Sequence, residues 1–197
     1  MFSSFFKPFY YLITILIIMV ILISLLFIPT FANNNLLLEV NQGEIVISLS
    51  GFSWPIPGYT TITSYFGKRK SPTQGASTFH KGLDIGAPEG SVLIAVIDGK
   101  ITYTGFLGGG GYTITLSKEN MKITYCHVSP NFIVKVGDEV IRGQIIGQVG
   151  PKYVYGVKGN IYKDEQGRPT NGATTGCHLH FGIRIDDDYV NPLQFYE

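Results

Sequence analysis

The 197-residue chain has two cysteines, one tryptophan, 15% charged residues and no excess of either sign. Two cysteines exclude a disulfide-framed scaffold and a Cys-rich zinc module. Fifteen basic against fourteen acidic side chains lack the basic footprint that nucleic-acid binding needs, so no nucleic-acid partner is expected. Scarce charge also argues against coiled coil and disorder. Beyond residue 32, no run of helical period reaches three turns. What the chain does have is 24 glycines and 10 prolines, a composition of many turns, and 45% apolar residues. A hydrophobic core has to hold the fold.

Charge is absent altogether from residues 8–31. The apolar run over residues 9–28 is about 20 positions, enough for a helix across ~30 Å of hydrocarbon. Its apolar side chains run all round the helix, which excludes a half-buried core helix. The run exceeds the ~7 to 15 residues of a secretory signal and so predicts an uncleaved anchor. Thr30-Phe31-Ala32 nevertheless has the small-x-small form of a cleavage site, which would make the remainder a secreted protein. Lys7 is the only cation before Lys68, and that bias predicts an inside N-terminus with the domain outside. The expected organisation is a membrane segment over 1–32, a tether over 33–51 with one strand-like run at 44–49, and a single domain over 52–197.

Short β-type runs separated by glycine turns fill that domain, at 61–66, 92–97, 100–104, 112–116, 122–125, 132–136, 144–149 and 178–185. Their close spacing, with turn pairs such as Asp98-Gly99 and Gly137-Asp138, predicts an all-β domain of antiparallel sheet. The one long stretch of low hydrophobicity, 151–176, is either a disordered insertion or a functional groove wall carrying Tyr153, Tyr155 and Tyr162.

The four histidines, His80, His127, His178 and His180, all stand beside glycine or aromatic residues. On a strand, His178 and His180 share one face with Leu179 on the other, so both imidazoles reach one centre. Asp84, between Leu83 and Ile85, faces away from the core, and a carboxylate on an otherwise buried strand needs a partner. Fully extended, His80 and Asp84 would stand ~13 Å apart, so two ligands to one metal require a bend, for which Gly82 is suited. His-x-x-x-Asp with His-x-His yields three nitrogen or oxygen ligands, the number a catalytic zinc site uses while keeping a position open. His127 ends a strand in register with Ile123 and Tyr125, and the set leaves two imidazoles for proton transfer.

The segments WPIPG (54–58), SYFGKR (64–69), HKGLDIGAPEG (80–90), VIDGKI (96–101), GYTITL (111–116), YCHVSP (125–130), VKVGDEVIRGQIIGQVG (134–150) and HLHF (178–181) together resemble the M23 family of zinc metallopeptidases, the lysostaphin and LytM type. The resemblance covers residues 52–195 in order. It implies a two-sheet antiparallel β core with a groove, acting on the peptide part of bacterial cell-wall peptidoglycan, with one Zn2+ held by His80, Asp84 and His180. It further implies that His178 is the general base and that His127 assists in the transition state. With the N-terminal segment as anchor, the chain is expected in the bacterial cell membrane, single-pass, with the membrane as partner and the catalytic domain outside. Cys177, Gly182 and the length of 151–176 depart from the family pattern, but no ligand or catalytic imidazole is lost.

Two alternatives stand beside this reading: a non-catalytic M23-like module that binds or activates other wall hydrolases, and a lipoyl-like carrier, for which Asp98-Gly99-Lys100 has the wrong order. Cys126 and Cys177 each precede a site histidine, and strand alternation sends both into the core, where a disulfide between them is open.

Overall fold

The computed structural model describes residues 16–19, 51–73 and 75–196. Twelve short strands carry the domain: β1 (Ile62–Ser64), β2 (Gly67–Lys68), β3 (Phe79–His80), β4 (Leu83–Gly86), β5 (Val92–Ile94), β6 (Gly99–Phe106), β7 (Tyr112–Lys118), β8 (Met121–Cys126), β9 (Glu139–Val140), β10 (Ile145–Gln148), β11 (His178–Ile185) and β12 (Asp188–Val190). The main sheet runs in the order β1-β4-β11-β8-β7-β6-β9, with β12 paired to β11; β10 with β5 and β2 with β3 form two smaller sheets. All these pairings are antiparallel. The all-β expectation with a groove therefore holds.

Alternation along the central strands explains the core. Leu83, Ile85, Leu179, Phe181, Ile183, Ile123 and Tyr125 are fully buried, each a step of two from the next on its strand, so one face of β4, β11 and β8 is apolar. Against it pack Trp54, Ile56, Leu93, Val96 and Ile146. The buried Tyr125 hydroxyl accepts from the Val96 backbone N–H, which ties β8 to the layer beneath it. One apolar run, 132–136, is no strand: the chain turns there, burying Val134 while Ile133 and Val136 stay exposed.

The predicted transmembrane helix is corrected, together with the membrane partner and the single-pass location built on it. Among the described residues, no helix is long and apolar enough to cross a membrane. Of the span 9–28 only residues 16–19 are described, as helix, and four helical residues rise about 6 Å against a hydrocarbon core of about 30 Å. The rest of that span, the cleavage-site motif at 30–32 and the strand-like run at 44–49 lie outside the described residues.

Candidate active site

Ladder register builds the first half of the site. His180 stands opposite Asp84 across β4 and β11, and directly paired residues share a face. His80 arrives from β3 through a bend at Gly82. A side chain at Gly82 would collide with the Phe181 carbonyl, so glycine serves close backbone approach here rather than a left-handed conformation.

The donor atoms converge tightly. His80 Nε2 lies 3.0 Å from Asp84 Oδ1 and 2.9 Å from His180 Nδ1, and His180 Nδ1 lies 2.8 Å from Asp84 Oδ1. Neighbouring groups set the tautomers. His80 Nδ1 is 2.8 Å from the Tyr65 carbonyl, which can only accept, so Nδ1 carries the proton and Nε2 turns its lone pair to the triangle. His80 Nε2 and Asp84 Oδ1 are both acceptors 3.0 Å apart, so a proton or a cation has to stand among the three groups. Tetrahedral zinc, with bonds of about 2.0–2.1 Å, sets its donors roughly 3.3 Å apart, so a few tenths of an ångström of opening would admit it. Two imidazoles and a carboxylate are zinc's donor chemistry, and His80, Asp84 and His180 fit a single Zn2+.

Around the triangle, Arg69 Nη1 donates to Asp84 Oδ2 at 2.9 Å and to Ser64 Oγ at 2.6 Å, and Ser64 Oγ lies 3.2 Å from His80 Nδ1. Only one carboxylate oxygen is thus left facing the imidazoles. Burial pushes the Asp84 carboxyl up, but its close contacts with the His178, His180 and His80 imidazoles outweigh it and hold the acid well below the usual carboxylate range. Burial lowers His180.

His178 and His127 supply the second half. His178 Nδ1 is 3.0 Å from the Gly176 carbonyl, which leaves the Nε2 lone pair facing the site, 3.5 Å from Asp84 Oδ1. The His127 and His178 rings lie 4.7 Å apart. Alternation would have sent His127 into the core with Ile123 and Tyr125. Instead β8 ends at Cys126 and His127 takes a left-handed conformation, φ 59°, turning its ring to the groove. Such backbone is costly for a non-glycine residue and needs support. Asn171, fully buried, supplies it: its carbonyl accepts from His127 Nδ1 at 2.7 Å, its Oδ1 accepts from the Tyr112 N–H at 2.8 Å, and its Nδ2 donates to the Val128 carbonyl at 3.0 Å. Burial, then repulsion from His178 and His180, lowers His127 to about 3, so it is neutral at physiological pH.

The five expected residues therefore meet in one groove of about 870 Å³. Sequence reasoning missed Arg69 and Asn171. Asn171 lies in the long stretch 151–176, which is held by its own contacts: Tyr153 Oη donates to Asp164 at 3.0 Å, and the Arg168 guanidinium stands 4.4 Å from the Tyr153 ring centre. Residues 173–176 line the groove, whereas Tyr153, Tyr155 and Tyr162 do not. Both cysteines are free. Cys126 pairs with His180 and so faces the groove side, while Cys177 packs on the core, which corrects the expectation that both enter the core.

Residues 78–192 match the model for Peptidase family M23. The DD-carboxypeptidase/endopeptidase Mpg of Neisseria meningitidis serogroup B is 31% identical over 153 residues, covering 77% of this chain and 31% of that protein. The chain thus spans about a third of the length of the curated relatives it matches. The catalytic domain of lysostaphin from Staphylococcus simulans superposes with a TM-score of 0.55 at 28% identity, covering 70% of this chain and 92% of that domain. A zinc-containing peptidase from Vibrio cholerae gives 0.55 at 25% identity, covering 75% and 44%.

Proposed function

Since the chain belongs to peptidase family M23, we propose that it is a zinc metalloendopeptidase that hydrolyses peptide bonds in bacterial cell-wall peptidoglycan. The observation that carries this reading is the convergence of His80, Asp84 and His180 into one donor triangle with two further imidazoles beside it. His80 Nε2, Asp84 Oδ1 and His180 Nδ1 hold the metal. Zinc, when bound, supplies Lewis-acid polarisation of the scissile carbonyl and acidifies water.

The chain's own residues do the rest. His178, its Nδ1 proton fixed on the Gly176 carbonyl, takes a proton from the attacking water at Nε2 and passes it to the leaving amine. His127, neutral and with its Nδ1–H fixed on the Asn171 carbonyl, stands beside His178 with its Nε2 lone pair free to accept a hydrogen bond from the attacking water or the leaving amine in the transition state. Arg69 holds Asp84 in its one-oxygen orientation. A non-catalytic binding or activating module would not need both extra imidazoles in hydrogen-bonded orientations.

The test is digestion of purified peptidoglycan of several crosslink types by the full chain, with mass spectrometry of the released fragments. New amino termini that disappear with chelator and return with zinc are expected. Intact walls of every type, with a zinc-loaded chain, would overturn the reading.

A further inference from the structure

Charge is spread unevenly over this molecule. The formal net charge of the chain is +1, yet the described residues lining the groove include Arg69, Lys70, Lys81 and Arg184 against one carboxylate, Asp84. Arg69 is engaged by Asp84 and Ser64. Arg184 is placed differently. It follows His180 by two alternating steps on β11, and Gly182 between them carries no side chain to fill or neutralise the interval.

The Arg184 guanidinium stands 5.4 Å from the centre of the Tyr189 ring, and the Lys81 ammonium stands 4.8 Å from the same ring. Arg184 Nε is buried without a hydrogen-bond partner. The acid it meets, Asp187, is 3.7 Å from Nη1, largely exposed, and held at 2.7 Å by Lys122. Nε is closed off by its neighbours, so an incoming group meets the Nη edge of this 28% exposed side chain, whose ion-pair partner Asp187 is 3.7 Å away, and the group that best satisfies a guanidinium edge is a carboxylate. Strand rise sets the Cα atoms of His180 and Arg184 about 13 Å apart. At roughly 3.3–3.6 Å per extended residue, a peptide lying across the metal triangle reaches Arg184 within a few residues of the cleaved bond.

We propose that Arg184 and Lys81, both held against the ring of Tyr189, form a carboxylate-binding subsite that selects peptides bearing a free carboxylate a few residues from the scissile bond. The subsite rests on the peptidase reading above and narrows its substrate class. Wall stem peptides carry carboxylates at their D-alanyl terminus and on internal acids, and the test separates the two.

The metal-free full chain, which holds peptide without turnover, is titrated calorimetrically with L-Ala-D-isoGlu-L-Lys-D-Ala-D-Ala in three forms: free acid, terminal amide, and internal amide at the isoglutamate. One amide is expected to bind about tenfold more weakly than the acid, identifying the carboxylate that Arg184 takes. Arg184→Gln should bind acid and amide alike, and Arg184→Lys should keep part of the preference, with circular dichroism and zinc content unchanged in both. Lys81→Met, at an exposed position, should weaken the same discrimination less.

Equal affinity of the wild-type chain for all three forms, no measurable binding of the free acid, or full discrimination surviving in Arg184→Gln would each overturn the subsite. Wall cleavage without discrimination sinks the subsite and spares the peptidase reading. Discrimination without cleavage of any wall type supports the subsite and sinks the peptidase reading.

Discussion

The two halves of the groove are positioned by different physics. On the sheet side, Asp84, His178 and His180 are fixed by ladder register: a pairing that sets His180 against Asp84 also sets His178 against Gly86, and the buried residues between them lock it. On the loop side, His127 sits in a left-handed turn and is oriented by Asn171, 44 positions along the chain. Backbone packing reinforces that contact, since a side chain at Gly172 would run into Gly111 and Gly109. A sheet places ligands as a consequence of folding its core. A loop has to place its imidazole with a few specific polar contacts, so the two halves should fail differently.

Substitutions on the sheet side give the largest expected effects and split by role. His180→Ala should lose zinc and activity together, as read by metal analysis and wall digestion. His178→Ala should keep one zinc per chain while turnover falls roughly 10²–10⁴-fold. Full activity in His178→Ala would remove it as the base.

On the loop side the expected loss is smaller and of another kind. Asn171→Ala keeps the carbonyl that orients His127 but strips the side-chain clamp from the Tyr112 N–H and the Val128 carbonyl. About 1–3 kcal/mol of stability should go, from leaving buried backbone groups unpaired. Turnover should fall about 10–100-fold, with zinc content and Michaelis constant nearly unchanged and an altered pH profile. Loss of zinc in this variant would show that the halves are not separable.

The halves also divide in pH. His127 is held neutral down to about 3 by burial and by repulsion from His178 and His180, whereas an unfolded histidine takes up a proton near 6.5. Between those values the unfolded chain binds the extra proton, so stability falls as pH falls, by up to about 1.4 kcal/mol per pH unit for this group. The lowered His180 adds a slope of the same sign. Asp84, whose carboxyl is held low, contributes stability that is present above about 3.9 and lost below it. Denaturant unfolding of the metal-free chain from pH 7 to pH 4 should show the loss, and His127→Gln should flatten it. The smallest effect concerns the cysteines: alkylation of the denatured, unreduced protein should label two thiols, since Cys126 faces the groove and Cys177 the core.

This division also tracks what could be read from sequence. Alternation in Leu83-Asp84-Ile85 and His178-Leu179-His180 put the ligands on one face, and the structure agrees because both segments lie in regular ladders. The same rule failed at Cys126-His127, where the strand ends and the left-handed turn swaps the faces. No glycine marks that turn, so the local sequence held no signal for it. Arg69 and Asn171 were invisible because each meets its partner through the fold, 15 and 44 residues away. The apolar run at 132–136 looked like a strand but turns, burying only Val134 well.

Anomalous diffraction at the zinc edge from crystals of the metal-loaded full chain tests the central claim directly. A single peak is expected among His80 Nε2, Asp84 Oδ1 and His180 Nδ1, with the His178 and His127 Nε2 atoms outside the ligand set. A peak bound by His178 in place of His180, or none at the triangle, would contradict it.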